Sequence, residues 1–218
     1  MRYKAVFFDF DYTLGDATQA IAAGYEFALS QMGWPKPTLE AVRRTVAYTV
    51  QDAYTMLTGD RDEARREQAR ELFAQIARPM QLTTTKLFDG AKELLEGLHE
   101  QGVKLAVISS KGGDTLRKVN EVLGIHTYFA LIVGGNDVTR PKPDPEGVAY
   151  AMAQLGLQPH EVLYCGDSLV DARTAQNAGV DFCAVLNGTT TAGEMEAYPH
   201  VHIAPDLVEA AQWLGVSE

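Results

Sequence analysis

Val6-Phe7-Phe8-Asp9-Phe10-Asp11-Tyr12-Thr13-Leu14 runs three apolar residues into two carboxylates set one residue apart, and then into a turn. An apolar run bounded in this way reads as a strand buried on both faces. Asp9 then stands where the strand leaves the sheet, the edge at which open α/β sheets bind ligands. Side chains alternate along an extended chain, so Asp9 and Asp11 can share one side. Two carboxylates that close repel, and one pKa rises unless a cation joins them. The pair therefore implies a metal, a proton-transfer role, or both. Taken alone, D-x-D is short, and two acids ending a strand in solvent would look the same.

Outward from this stretch the chain changes character twice. From Asp16 to Met80 the pattern is helical. Ile21, Tyr25, Ala28, Leu29 and Met32 share a face that stops at Gly33. Thr38 can cap a second helix through about Ala47, and Asp60 with Glu63 resembles a capping pair for a long charged helix ending near Met80. From Lys86 onward strands and helices alternate. Strands are expected at 103–108, 130–133, 162–165 and 182–186, with helices between them and after the last. Asp144-Pro145 suits a helix start, with Asp at the N-cap and Pro at the first helical position. This alternation predicts an α/β fold, a Rossmann-like doubly wound parallel sheet with helices on both faces. The helical stretch interrupts it after the first strand only. The expected organisation is a discontinuous core, residues 1–14 and 85–218, with an all-helical insert at 15–84. The Thr83-Thr84-Thr85 run reads as part of the return linker.

Bulk properties narrow the function. A chain of 218 residues with 46% hydrophobic content can hold one domain with an insertion, or two small ones. Its 19 Lys plus Arg against 29 Asp plus Glu give a net charge of −10, which argues against nucleic acid or an anionic membrane as the main partner. A local basic site can still hold an anionic substrate. Cys165 and Cys183 lie inside apolar runs and read as small core residues in a reducing compartment. The chain starts directly into its first strand, without a secretory segment or an apolar run of spanning length. A cytoplasmic protein is expected. The five histidines show no metal-ligand spacing.

Four strand ends carry polar chemistry: Asp9 and Asp11; Ser109 and Ser110, with Lys111-Gly112-Gly113 behind them; Lys142 among prolines; and Gly166-Asp167-Ser168 with Asp171. Each has an ordinary explanation. Ser109 and Ser110 could be turn residues, Lys142 a solvated loop lysine, Ser168 a cap with Asp171 in the first turn of a helix. Together, at one edge of a parallel sheet, carboxylates with a lysine and a hydroxyl suit an anion held by a divalent metal.

Asp9-Phe10-Asp11-Tyr12-Thr13-Leu14, Ser109, Lys142 and Gly166-Asp167-Ser168-x-x-Asp171 resemble, in order, the four motifs of the haloacid dehalogenase-like hydrolases, in the branch of phosphoglycolate phosphatase and β-phosphoglucomutase. The resemblance covers the whole chain. It implies sheet order 3-2-1-4-5 with the Asp9 strand central, and makes the insert a helical cap of the C1 type. It also implies a Mg²⁺-dependent phosphatase acting on a small phosphomonoester through an aspartyl-phosphate. Asp9 would be the nucleophile and Asp11 the acid and base. Ser109, Ser110 and Lys142 would bind the phosphoryl group. Asp9, the Asp11 backbone carbonyl and Asp167 would hold Mg²⁺, with Thr13, Ser168 and Asp171 supporting. Arg43 and Tyr48, near the stretch that matches the family's specificity loop, become candidate substrate contacts, with phosphoglycolate the first guess. The simpler reading of Arg43 and Arg44 is as solvent-facing helix residues. The alternatives are a phosphosugar or nucleotide phosphatase, a pyrophosphatase, a β-phosphoglucomutase-like mutase, a haloacid dehalogenase, or a receiver-like phosphoacceptor. The implied partner is a small phosphorylated metabolite, with neither nucleic acid nor membrane, and the implied assembly is a monomer or homodimer. Two positions depart from the family pattern: Tyr12 and Ala47 stand where glycine is usual.

Overall fold

The computed structural model describes residues 2–216, and the chain divides into two compact units. One joins the residues up to Asp16 to those from Leu87 onward; the other spans Ala17–Lys86. The sequence reading puts the crossings after residues 14 and 84, whereas compactness puts them after Asp16 and Lys86. In chain order the protein begins with strands β1 (Ala5–Phe8) and β2 (Gly15–Asp16). Helices α1 (Thr18–Gln31), α2 (Leu39–Arg43), α3 (Val50–Thr58) and α4 (Glu63–Thr84) follow, then strand β3 (Lys86–Leu87). Alternation sets in with α5 (Ala91–Glu100), β4 (Lys104–Ile108), α6 (Gly113–Val122), β5 (Phe129–Val133), α7 (Glu146–Leu155), β6 (Val162–Gly166), α8 (Leu169–Ala178) and β7 (Asp181–Val185). Helix α9 (Ala192–Met195), strand β8 (His202–Ala204) and helix α10 (Leu207–Leu214) complete the described chain.

The main sheet has six parallel strands in the order β5-β4-β1-β6-β7-β8. Its first five follow the expected 3-2-1-4-5. β8 is an addition: His202-Ile203-Ala204 is too short and too mixed to show a strand period. β1 is central, and all four of its residues have no solvent exposure, the burial that a continuous apolar run requires. Phe7 packs in one core cluster with its register partners Ala106 and Tyr164. Because every strand of this sheet runs the same way, the loops that follow β1, β4, β5 and β6 leave from one edge.

In the helical unit α1 buries Ile21, Gly24, Tyr25, Ala28 and Leu29, while α4 buries Ala69, Phe73 and Ala77. Gly24 permits the close approach of the two helices: a Cβ there would lie 2.7 Å from the Phe73 ring. Tyr54 is fully buried; its hydroxyl donates to Asp60 at 2.8 Å and accepts from the Trp34 indole at 3.0 Å.

Several local expectations are corrected. α2 ends at Arg43 rather than near Ala47, because the Thr49 hydroxyl, accepting from Asp52 N, starts the separate helix α3. Asp62, not Asp60, caps α4, since Asp60 is taken by Tyr54 and Arg65. α4 runs through Thr84, so the threonine run is mostly helix rather than linker. At α7 the N-cap residue is Pro145, and Asp144 instead accepts from Glu146 N at 3.0 Å. Among the described residues no helix is long and apolar enough to cross a membrane.

Candidate active site

At the end of β1 the backbone N–H of Asp9 still bonds the Cys165 carbonyl of β6, so Asp9 is fixed by the sheet itself. The chain then folds sharply: the N–H groups of Thr13, Leu14 and Gly15 all converge on the Phe10 carbonyl. Tyr12 takes φ +66°, the one left-handed non-glycine residue among those described. A side chain in that region costs about 1 kcal/mol, which is the physical reason glycine suits this position. The turn aims Asp11 back over the sheet edge and brings the Thr13 hydroxyl to Oδ1 of Asp167 at 3.1 Å.

Lys142 arrives from the loop after β5. Its ammonium donates to Oδ1 of Asp9 at 2.8 Å and to Oδ1 of Asp171 at 2.6 Å, with only 5% of the side chain exposed. Asp171 is wholly buried in the first turn of α8. Its other oxygen accepts from the backbone and hydroxyl of Ser168, which in turn caps the helix. Ser168 is thus a cap, as its ordinary reading has it, while Asp171 ties the helix start to Lys142. Ser109 is buried at the end of β4, its backbone N–H bonded to Val133 of β5 and its hydroxyl accepting from Lys111 N at 3.3 Å.

The sequence reading left Lys111 without a role and did not single out Tyr164. The Lys111 ammonium lies 2.9 Å from Oδ2 of Asp11, both side chains almost fully buried. The Tyr164 hydroxyl lies 3.3 Å from Lys142 Nζ. Lys111 could have been found from its place two residues after Ser109 at a strand end. Tyr164 could have been found as the one hydroxyl in the run Val162-Leu163-Tyr164-Cys165. Of the other three candidates, Ser110 is half-buried in the loop after β4, beside Ser109, while Arg43 and Tyr48 are exposed residues of the helical unit. Arg44 beside them pairs with Glu40 at 3.1 Å in solvent.

The sheet edge therefore buries four carboxylates, Asp9, Asp11, Asp167 and Asp171, with two ammonium groups, Lys111 and Lys142, a formal charge of −2. Buried charge in excess is costly. Burial pushes Asp9 up to about 6, with Lys142 opposing and Asp171 adding to the rise. Burial, then the neighbouring Asp171 and Asp9, hold Asp167 well above the usual carboxylate range. Burial would depress Lys142, but Asp171 and Asp9 more than reverse it and keep the ammonium charged. One oxygen from each of Asp9, Asp167 and Asp171 lies within 4.8 Å of the others, and Oδ1 of Asp11 is buried without a hydrogen-bond partner. A small divalent cation with oxygen ligands fits this donor set and would cancel the excess charge. Both oxygens of Asp171 are already bonded, so Asp9 and Asp167 are the better-placed direct ligands. Gly188 lies against Asp167, where a Cβ would come within 2.0 Å of Oδ2.

Comparison with known proteins points to one family. The sequence profile of the haloacid dehalogenase-like hydrolases matches residues 6–185. The phosphoglycolate phosphatase of Pseudomonas putida is 31% identical over 211 residues, 94% of this chain and 77% of the relative. That of Thiobacillus denitrificans is 30% identical over 216 residues, covering 95% and 94%. A crystal structure from Bacteroides fragilis, assigned to the haloacid dehalogenase-like hydrolases, superposes with a TM-score of 0.91 at 37% identity, covering 94% of this chain and 98% of its own. The chain belongs to the haloacid dehalogenase-like hydrolase family, and the buried carboxylates at the end of its central strand are its candidate catalytic groups.

Proposed function

We propose that the protein is a Mg²⁺-dependent phosphatase of small phosphomonoesters, with phosphoglycolate the first substrate to test. The observation that carries this reading is the buried cluster of charge −2 around Asp9, with Lys142 bridging Asp9 and Asp171. The names of the Pseudomonas and Thiobacillus relatives supply the substrate guess.

Asp9, Asp167 and the Asp11 carbonyl would hold Mg²⁺, which when bound would supply positive charge against the gathered carboxylates and the substrate's phosphoryl group. Asp9 attacks phosphorus, an aspartyl-phosphate forms, and the ester P–O bond breaks. The leaving oxygen takes its proton from Asp11. A water then attacks the phosphoryl group, gives its proton to Asp11, and phosphate leaves as Asp9 is regenerated. Lys111, bonded to Asp11, holds that carboxylate at the sheet edge. Ser109 and Ser110 hold phosphoryl oxygens, and Lys142 screens the repulsion between phosphate and Asp9. The helical unit is the proposed cap, inserted directly after the Asp11 turn, and Arg43 and Tyr48 are its proposed contacts to a substrate carboxylate or ester. The two free, buried cysteines and the lack of a membrane-crossing helix among the described residues support a cytoplasmic setting.

The test is phosphate release from a panel: phosphoglycolate, sugar phosphates, nucleoside monophosphates, pyrophosphate and p-nitrophenyl phosphate, with Mg²⁺ and with EDTA. Mg²⁺-dependent turnover with the highest kcat/KM for phosphoglycolate is expected. A preference for another ester overturns the substrate, and full activity in EDTA overturns the class.

A further inference from the structure

The Tyr164 phenol is the one hydroxyl in a strand whose neighbours Val162, Leu163 and Cys165 are buried and apolar. Packing beside Phe7 and Phe182 asks only for an aromatic ring, and phenylalanine would supply it. A buried hydroxyl is costly unless bonded, so its presence needs partners that repay the desolvation. It has three. It lies 3.3 Å from Lys142 Nζ, 3.1 Å from the Ile108 carbonyl and 3.3 Å from Oδ1 of Asp171.

The bonding leaves little choice of direction. An ammonium has three protons and accepts nothing. Those of Lys142 meet Asp9 at 2.8 Å, Asp171 at 2.6 Å and the Tyr164 oxygen at 3.3 Å. Tyr164 therefore accepts from Lys142 and has its own proton to give, and the nearer acceptor is the carbonyl of Ile108. Burial keeps the phenol well above its ordinary pKa, so that proton stays in place. Ile108 is the last residue of β4 and directly precedes Ser109.

We infer that Tyr164 is a positioning residue: its hydroxyl is the third leg of the tripod that holds the Lys142 ammonium, and it fastens that tripod to the end of β4. Without it Lys142 keeps two partners, both carboxylates, and can rotate about them. Lys142 then loses its fixed place relative to Ser109, which follows β4, and Asp9, which follows β1.

The experiment uses the full chain, wild type and Tyr164→Phe, with two readouts. The first is the ¹H–¹⁵N signal of the Lys142 ammonium, assigned by its loss in Lys142→Met. In wild type its protons should exchange slowly compared with those of Lys36, whose side chain is 70% exposed. In Tyr164→Phe the signal should broaden or vanish at unchanged secondary structure. Lys142 protons exchanging as fast as those of Lys36 in wild type, or an unaltered signal in Tyr164→Phe, would overturn the inference. This readout needs no turnover, so it stands apart from the phosphatase reading on which the second readout rests. The second is a double-mutant cycle on p-nitrophenyl phosphate. Tyr164→Phe should lower kcat/KM about tenfold in the wild-type background and less than about twofold in Lys142→Met, since its effect passes through Lys142. Equal factors in both backgrounds would mark Tyr164 as merely structural.

Discussion

The two units of this protein use the same charged residue types in opposite ways. At the strand ends of the α/β unit, carboxylates and ammonium groups are buried together and their charges do not cancel. In the helical unit, pairs such as Arg44–Glu40 and Lys36–Glu26 lie in solvent, with half or more of every side chain exposed. Exposed pairs of that kind contribute roughly 0–1 kcal/mol each. The difference teaches that burial, rather than the count of charges, marks where chemistry is held. A cluster kept in place against its own repulsion lowers stability, and its retention points to a role beyond folding.

The largest expected effect tests the buried side of this contrast. Asp9→Asn is nearly isosteric and should keep the fold, but turnover should fall on the order of 10³-fold or more, at least ~4 kcal/mol in barrier. Steady-state kinetics of the purified variant, with circular dichroism to check folding, measure it. Near-normal activity would remove Asp9 from the chemistry.

The next effect is on stability and has the opposite sign. Burial raises Asp9 to about 6 and Asp167 upward too, so the folded state binds protons more tightly than the unfolded one. For a raised carboxyl, the cost is absent below the unfolded value of about 3.8 and complete above the folded one. In EDTA, wild type should therefore gain stability as the pH falls from 7 towards 5. At pH 7, Asp9→Asn should melt higher than wild type, by on the order of 1–3 kcal/mol. Mg²⁺ should stabilise wild type and do less for the variant. Thermal melts at both pH values, with and without Mg²⁺, decide this; a variant less stable than wild type in EDTA at pH 7 would show that the cluster is not strained.

The smallest effect belongs to the exposed side. Arg44→Ala breaks a solvent pair and should change stability by less than about 1 kcal/mol. Arg43→Ala, if that side chain meets a substrate carboxylate, should lower kcat/KM for phosphoglycolate while sparing p-nitrophenyl phosphate. Equal losses on both substrates would remove Arg43 from substrate recognition.

What the sequence allowed one to foresee follows the same division. β1 was legible because every residue of Ala5–Phe8 is apolar and buried, and the flanking acids mark its end. β4, β6 and β7 carry similar runs and were legible for the same reason, whereas the order of the strands in the sheet came from the family resemblance. The third helix was not legible: Val50–Thr58 is short and mixed, and its cap Thr49 looks like any loop threonine. Tyr12 shows a tertiary override, since tyrosine has no preference for the left-handed backbone that the turn after Asp11 imposes. Lys111 and Tyr164 lie far from Asp11 and Lys142 in sequence. Only the parallel order β5-β4-β1-β6 brings their side chains together, and no local pattern encodes such a pairing.

The measurement that tests the central claim most directly is the mass of the enzyme during turnover. Wild type is mixed with Mg²⁺ and excess substrate, quenched in acid within milliseconds, digested and analysed by mass spectrometry. The account predicts a peptide containing Asp9 heavier by one phosphoryl group, labile to hydroxylamine and absent in Asp9→Asn. A phosphoryl group carried stably on another residue, with Asp9→Asn still turning over, would contradict it.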